Sequence, residues 1–299
     1  MNMEEIYYTE EPVLYDPCLI LGFEGWPNAA EVSSFSVQYL VENLKAKKFA
    51  SIPSGNFYQT SSSRPVAVIK EGRLVDLRFT GNYFYYFRSK GTRDVILFRG
   101  IEPHLRWSVF VDLILGMAER FKVSQIFTIG GTYDYVPHTY PTRVSAVFNH
   151  DDLRERILQS GLALTEYTGP ISVHTFILEA GRKRGLKVIS LWGHAPQYLQ
   201  TQNIKVVYSV LKRLCDLAGI EFDLSALQGA SDLFEQQVNR LVEQDPKIQE
   251  IIRNVEEIYK ESLKSSSSSG AGEEPKKEEK IVYMQAFLKR PADEEKKES

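Results

Sequence analysis

The sequence predicts a three-layer α/β sandwich: a mixed, mostly parallel sheet between two layers of helices, with further helices toward the C-terminus. Strand-like apolar runs alternate with amphipathic helical segments along the chain. Several of those runs, Cys18–Phe23 and Asp94–Phe98 among them, are apolar at consecutive positions, as strands covered on both faces are. The runs also end at glycine- and proline-containing turns, which suit strand-to-helix connections.

The elements follow in order. Cys18–Phe23 is a buried strand entering a turn at Gly22, Gly25 and Pro27, and Asn28 is placed to cap the next helix. Val32, Phe35, Tyr39, Leu40 and Leu44 recur at helical spacing. Lys48–Ile52 reads as a second strand. Val66–Ile69 and Leu74–Phe79 flank Lys70-Glu71-Gly72-Arg73, a hairpin signal that makes the sheet mixed. Asn82–Arg88 is a strongly β-forming aromatic run, and Asp94–Phe98 stops at Arg99-Gly100. Trp107, Phe110, Val111, Ile114, Leu115 and Ala118 mark an amphipathic helix. The strand Gln125–Ile129 stops at Gly130-Gly131, and Arg143–Phe148 is another strand. Asp151 starts a helix to about Ser160, Ser172–Arg184 is helical, Lys187–Trp192 is a strand, and Ile204–Leu217 is helical. Ser231 begins a helix. Asp245-Pro246 caps and starts the next, with apolar positions Ile248, Ile251, Ile252, Val255, Ile258 and Tyr259.

Composition narrows the function classes. In 299 residues, 43% are hydrophobic and 25% charged, enough for a sizeable buried core. No apolar run approaches the roughly 20 residues of a membrane helix. The formal charge of −3 is not that of a general electrostatic nucleic-acid binder. Two cysteines, Cys18 and Cys215, make neither a disulfide framework nor a cysteine-rich zinc module. The segment Met1–Glu10 has no basic flank or apolar stretch of a secretory signal, so the expected location is cytoplasmic, with no membrane and no nucleic-acid partner.

Ser265–Ser269 opens a low-complexity, Glu/Lys-dominated stretch that reads as a flexible tail. The tail carries a net −1 and the body −2, so neither is a charged arm. An apolar island, Ile281–Leu288, interrupts it. The expected organisation is an α/β domain over 1–230, a helical appendage over 231–264 and a tail over 265–299.

Ligands of open α/β sheets sit beyond the C-terminal strand ends. The loops expected there carry Glu24, Trp26, Asn28, Glu102, His104, His138, Arg143 and His194. If the loops converge, a carboxylate beside a histidine is equipped for general acid–base work. The spacings match no metal motif, no dinucleotide fingerprint, no P-loop and no Gly-x-Ser-x-Gly elbow, so no cofactor or metal is expected. The structural alternative covers the same residues: glycines and prolines for turns, Trp26, Trp107 and Trp192 for packing, His150 and His174 as surface or core fillers.

Five segments in order resemble the proteasome assembly chaperone 2 family over roughly residues 17–227. They are Gly22-Phe23-Glu24-Gly25-Trp26-Pro27-Asn28-Ala29-Ala30-Glu31, Gly100-Ile101-Glu102-Pro103 with Trp107, Pro137-His138-Thr139-Tyr140-Pro141, Tyr167-Thr168-Gly169-Pro170, and Trp192-Gly193-His194-Ala195-Pro196-Gln197-Tyr198. Asn28, Tyr140 and Gln197 depart from the family's usual residues, and each departure removes a charged or titratable group from a motif loop. The resemblance implies a phosphorylase/hydrolase-like α/β/α fold, self-association and a protein partner. The expected function is that of a non-catalytic protein-interaction or assembly-chaperone-like protein forming a homo-oligomer, with Tyr83–Phe87 and the tail island as contact elements. The alternative is a hydrolase- or ligase-type enzyme, or a nucleotide-binding protein, with one pocket lined by Glu24, Glu102, His138 and His194.

Overall fold

A computed structural model of the chain describes residues 6–78, 81–90 and 93–266. Four parallel strands make its centre: β7 (Val95–Ile101), β2 (Cys18–Glu24), β8 (Gln125–Asp134) and β11 (Val188–Pro196), side by side in that order. Beyond β7 lie β6 (Asn82–Phe87), β3 (Lys47–Ile52) and β1 (Tyr7–Tyr8), each antiparallel to its neighbour. Beyond β11 lies antiparallel β9 (Val144–Phe148), then β10 (Ala163–Leu164), parallel to β9. The sheet is therefore mixed, with a parallel core.

The consecutive apolar residues of β2 divide by parity. Cys18 and Ile20 enter one core cluster, Leu19, Leu21 and Phe23 the other, and all five are fully buried. Val95 and Leu97 against Ile96 and Phe98 repeat the division in β7. On the first face lie α1 (Val32–Asn43), α3 (Arg154–Gln159) and α5 (Ile204–Ala218), through Val37, Ile157 and Val210. On the second lie α2 (Trp107–Arg120) and α4 (Val173–Lys183), through Phe110, Ile114 and Ile177. A smaller cluster joins Tyr198 and Leu199, just after β11, to Val238, Ile248 and Ile252 of the C-terminal helices α6 (Ser225–Gln244) and α7 (Pro246–Ser266). The Asp245 carboxylate accepts the Lys247 amide at 2.9 Å and starts α7 as expected.

Several expectations are corrected. The hairpin, β4 (Val66–Lys70) and β5 (Arg73–Arg78), forms its own two-stranded sheet; what mixes the main sheet is β1, β3, β6 and β9. The aromatic strand β6 is interior, paired to β3 and β7 on its two edges, so Tyr83–Phe87 is no free edge. Its aromatics are used in packing: Phe84 is fully buried against Phe98, ring centroids 4.8 Å apart. Helix α6 begins at Ser225, before the expected Ser231. Asp151 opens a short 3-10 turn without a side-chain cap, and the α-helix starts only at Arg154. Trp26 is 60% exposed, whereas Trp107 packs on Phe176 and Trp192 on His174. The tail and its island Ile281–Leu288 lie outside the described residues, except that Ser265 and Ser266 end α7.

Strands β8 and β11 also continue through the glycines expected to stop them. At Gly131 a β-carbon would come within 2.3 Å of the Ala29 carbonyl oxygen and 2.9 Å of Val32 Cβ; at Gly193 it would meet Val206 at 2.5 Å. These glycines are close-approach positions, where a loop or helix presses on the strand. Gly131 donates its amide to the Pro27 carbonyl at 2.8 Å, which pins the β2–α1 turn to β8. That turn holds Ala30 and Glu31 at φ 52° and 56°, a left-handed pair that its surroundings must enforce. Replacing Gly131 by Ala forces backbone apart at this contact. The expected loss is about 1–3 kcal/mol, read as a fall of several degrees in Tm, while the exposed Gly229→Ala, with open space around it, leaves Tm unchanged or raised.

Candidate functional site

The extra strand length carries two titratable side chains to the carboxyl end of the parallel sheet. Asp134 is the last residue of β8, and His194 lies near the end of β11, with Pro196 paired to Asp134 in the ladder. The His194 Nδ1 is 2.8 Å from Asp134 Oδ2. On its other side Nε2 is 2.8 Å from Ser145 Oγ, which β9 brings alongside β11. The carboxylate partner assigns the proton to Nδ1, leaving Nε2 to accept from the Ser145 hydroxyl. Thr165 in turn donates its hydroxyl to Ser145 Oγ at 3.0 Å. The result is a one-directional chain of donors, Thr165 to Ser145 to His194 to Asp134.

The carboxylate end is well held. Asp134 Oδ1 accepts the Tyr135 amide at 2.7 Å, and Arg143 lies 3.5 Å from Oδ2. Burial pushes the Asp134 carboxyl up, but the His194 hydrogen bond, the Tyr135 amide and the Arg143 charge outweigh it and hold it below the usual carboxylate range.

Arg143 and His194 also line a cleft closed on the far side by α6 and α7, together with His138, Tyr140, Lys205 and Tyr259. His138 is buried: its Nδ1 is 2.7 Å from the Tyr198 hydroxyl and its Nε2 3.0 Å from Asn239 Oδ1. Burial lowers its pKa. Lys205 donates to the His138 carbonyl at 2.5 Å, the Tyr140 carbonyl at 3.2 Å and Glu235 at 2.8 Å, and Tyr140 meets Tyr259 edge-on. These contacts fasten α6 and α7 onto the Pro137–Pro141 segment. The volume open to the centre of a water molecule is about 20 Å³, room for a water or two.

Of the residues expected at one rim, His138, Arg143 and His194 line this cleft and the others do not. Glu24 pairs with Arg99 at 3.5 Å. Asn28 joins Ser34 in α1, accepting its amide and donating to its hydroxyl, both at 2.9 Å. Glu102 accepts the Val173 amide at 2.9 Å and so caps α4; burial raises its pKa against the opposing Val173 and Trp26 amides. His104 accepts the Gln59 amide at 3.0 Å through Nδ1. The expected single pocket of Glu24, Glu102, His138 and His194 is thus split: both carboxylates serve local backbone or surface contacts. Asp134, Ser145 and Thr165 were not among the expected residues. Asp134 lies just beyond the Gly130-Gly131 pair that reads as the end of its strand, and only the β9–β11 register reveals Ser145. Among the described residues no group of three His, Cys, Asp or Glu side chains is arranged to hold a metal ion.

The PAC2 family model matches residues 22–242, most of the chain, including Asp134, Ser145, Thr165 and His194. The chain belongs to the PAC2 family. Among solved structures, this PAC2 chain is similar to a PAC2 family protein from Streptomyces avermitilis, with 28% identity, a TM-score of 0.72 and coverage of 79% of this chain and 99% of that one. It is similar to a proteasome-assembly chaperone homologue from Mycobacterium tuberculosis at 26% identity and TM-score 0.72, covering 78% and 98%. It is also similar to PbaB of Pyrococcus furiosus, an archaeal proteasome activator, at 25% identity and TM-score 0.63, covering 79% and 97%. No curated protein matches the chain significantly.

Beneath the site lies His174, fully buried between Phe23 and Trp192, with ring centroids 5.4 and 5.2 Å away. Its Nε2 has no hydrogen-bond partner, and burial pushes its pKa down to about 3. The unfolded chain takes up this proton near pH 6.5, while the folded one resists until about pH 3. Stability from the neutral ring is therefore full above pH 6.5 and is lost as pH falls through that window. His174 should remove about 2 kcal/mol between pH 7 and pH 5. Urea unfolding of His174→Phe at both pH values should show a loss smaller by that amount than the parent chain shows.

Proposed function

We propose that this PAC2 chain is a cytoplasmic, self-associating interaction protein of assembly-chaperone type, working through protein surfaces. The observation that carries this reading is the β4–β5 hairpin. Val66, Ile69, Leu74, Val75 and Leu77 are each between 47% and 64% exposed, on a ribbon that pairs with no other described strand. A two-stranded ribbon is marginal in water on its own, and both its long edges offer unpaired backbone groups. Clustered exposed apolar side chains mark protein contacts more often than scattered ones do.

A second apolar set supports the reading. Trp26, Leu105, Tyr167 and Ile171, from three connecting loops, are 44% to 61% exposed. The relatives named as a proteasome-assembly chaperone homologue and a proteasome activator make an assembly partner the natural class of client. The narrowness of the cleft favours surface recognition over uptake of a large small-molecule ligand. No described helix is long and apolar enough to cross a membrane.

Self-association is checked by light scattering and sedimentation at micromolar concentration. The parent chain should run above monomer mass. The double substitution Ile69→Lys and Leu74→Lys, at residues paired across the hairpin, should weaken self-association by at least tenfold while leaving Tm unchanged. A strictly monomeric parent chain would remove self-association from the proposal.

A further inference from the structure

We infer that Ser145, His194 and Asp134 form a serine–histidine–aspartate triad that gives this chain an acyl-hydrolase activity toward short-chain esters. The inference stands apart from the interaction role, because the triad shares no residue with the hairpin.

Geometry carries the inference. Both hydrogen bonds of the triad measure 2.8 Å, one on each ring nitrogen of His194. The three residues come from three adjacent strands, β9, β11 and β8, so their spacing is set by rigid backbone. The aspartate holds the ring with Nδ1–H toward itself, which points the Nε2 lone pair at the serine hydroxyl. Tyr135 and Arg143 keep the carboxylate charged and oriented, as support for a developing imidazolium requires. The triad is recognised by these roles and not by chain order, which here runs Asp, Ser, His.

Access is the second half. Ser145 is 1% exposed, yet Thr165, whose hydroxyl rests on it, is itself exposed, as is every residue from Thr165 to Ile171. The nucleophile therefore lies one side chain below the surface, under a connecting segment. An acyl group reaching it must be short, because the hydroxyl is almost fully covered and the Thr165 side chain rests directly on it.

The chemistry balances without a cofactor. Ser145 Oγ bonds to the ester carbonyl carbon as its proton passes to His194 Nε2. The carbon–oxygen bond to the alcohol then breaks, and the leaving alkoxide takes that proton. Water next attacks the acyl-serine and gives a proton to Nε2; collapse releases the carboxylic acid, and the proton returns to Ser145.

The full chain is treated with a fluorophosphonate probe, adducts are mapped by mass spectrometry, and hydrolysis of p-nitrophenyl acetate is followed in parallel. One adduct is expected, on Ser145. Ser145→Ala should abolish it, and His194→Gln and Asp134→Asn should each slow it at least a hundredfold. Thr165→Gly, which uncovers the hydroxyl, should speed it roughly tenfold, a gain that a purely structural hydrogen-bond chain would not produce. The inference is overturned by folded parent and Thr165→Gly proteins that both leave Ser145 unlabelled, or by labelling that proceeds equally fast without the His194 imidazole.

Discussion

Burial of β2 from both sides governs the rest of the molecule. Cys18 and Ile20 are sealed by α1 and α5, while Leu19, Leu21 and Phe23 are sealed by α2 and α4. A strand without a solvent face has little room for charged side chains along its length. The same holds for its parallel neighbours, so polar chemistry collects where those strands end. Asp134, His194 and Glu102 all stand at or just beyond those ends, each with its partners supplied by a neighbouring strand or helix terminus.

The strand ends need their own order, and close approach provides it. The absence of side chains at Gly131 and Gly193 lets the β2–α1 turn and α5 press against β8 and β11. The turn is held further by the Tyr133 hydroxyl, which accepts the Ala30 amide, and by the Ala30 carbonyl, which accepts the Asn203 amide. Such cross-braces are what keep Ala30 and Glu31 in left-handed conformations. Helix α6 is fastened differently, by buried polar contacts of His138 and Lys205 beside the small apolar cluster around Val238. Each such hydrogen bond contributes on the order of 1 kcal/mol, but a partner left unpaired in that setting costs more.

Two surfaces of different character result. The hairpin and the loops bearing Trp26 and Tyr167 expose apolar groups without enclosing anything, which suits contact with another protein. Under Thr165, by contrast, polar side chains are aligned and nearly dry, which strengthens each hydrogen bond between them. One fold can carry both, since the hairpin is separate from the sheet that builds the hydrogen-bond chain.

The α/β class, the positions of most strands and helices and the membership in the PAC2 family were legible in the residues, because consecutive apolar runs, helical periodicity and loop motifs are local signals. Locally misleading signals were overruled by packing. Gly130-Gly131 looks like a stop but lies inside a strand, the aromatic run Tyr83–Phe87 suggests a contact element but is an interior strand, and two-residue β1 and β10 are too short to show a period. His138 and His194 were visible as motif residues and Arg143 as a candidate beside them, but the cleft they share is formed only in the folded chain. Ser145 and Thr165 carried no such mark, and Glu24 and Glu102 were drawn into a site they do not share. The sequence by itself determined which faces must be buried and hence the layered fold. Only the tertiary structure decided which polar groups meet, because strand register and the antiparallel return of β9 join residues from distant parts of the chain.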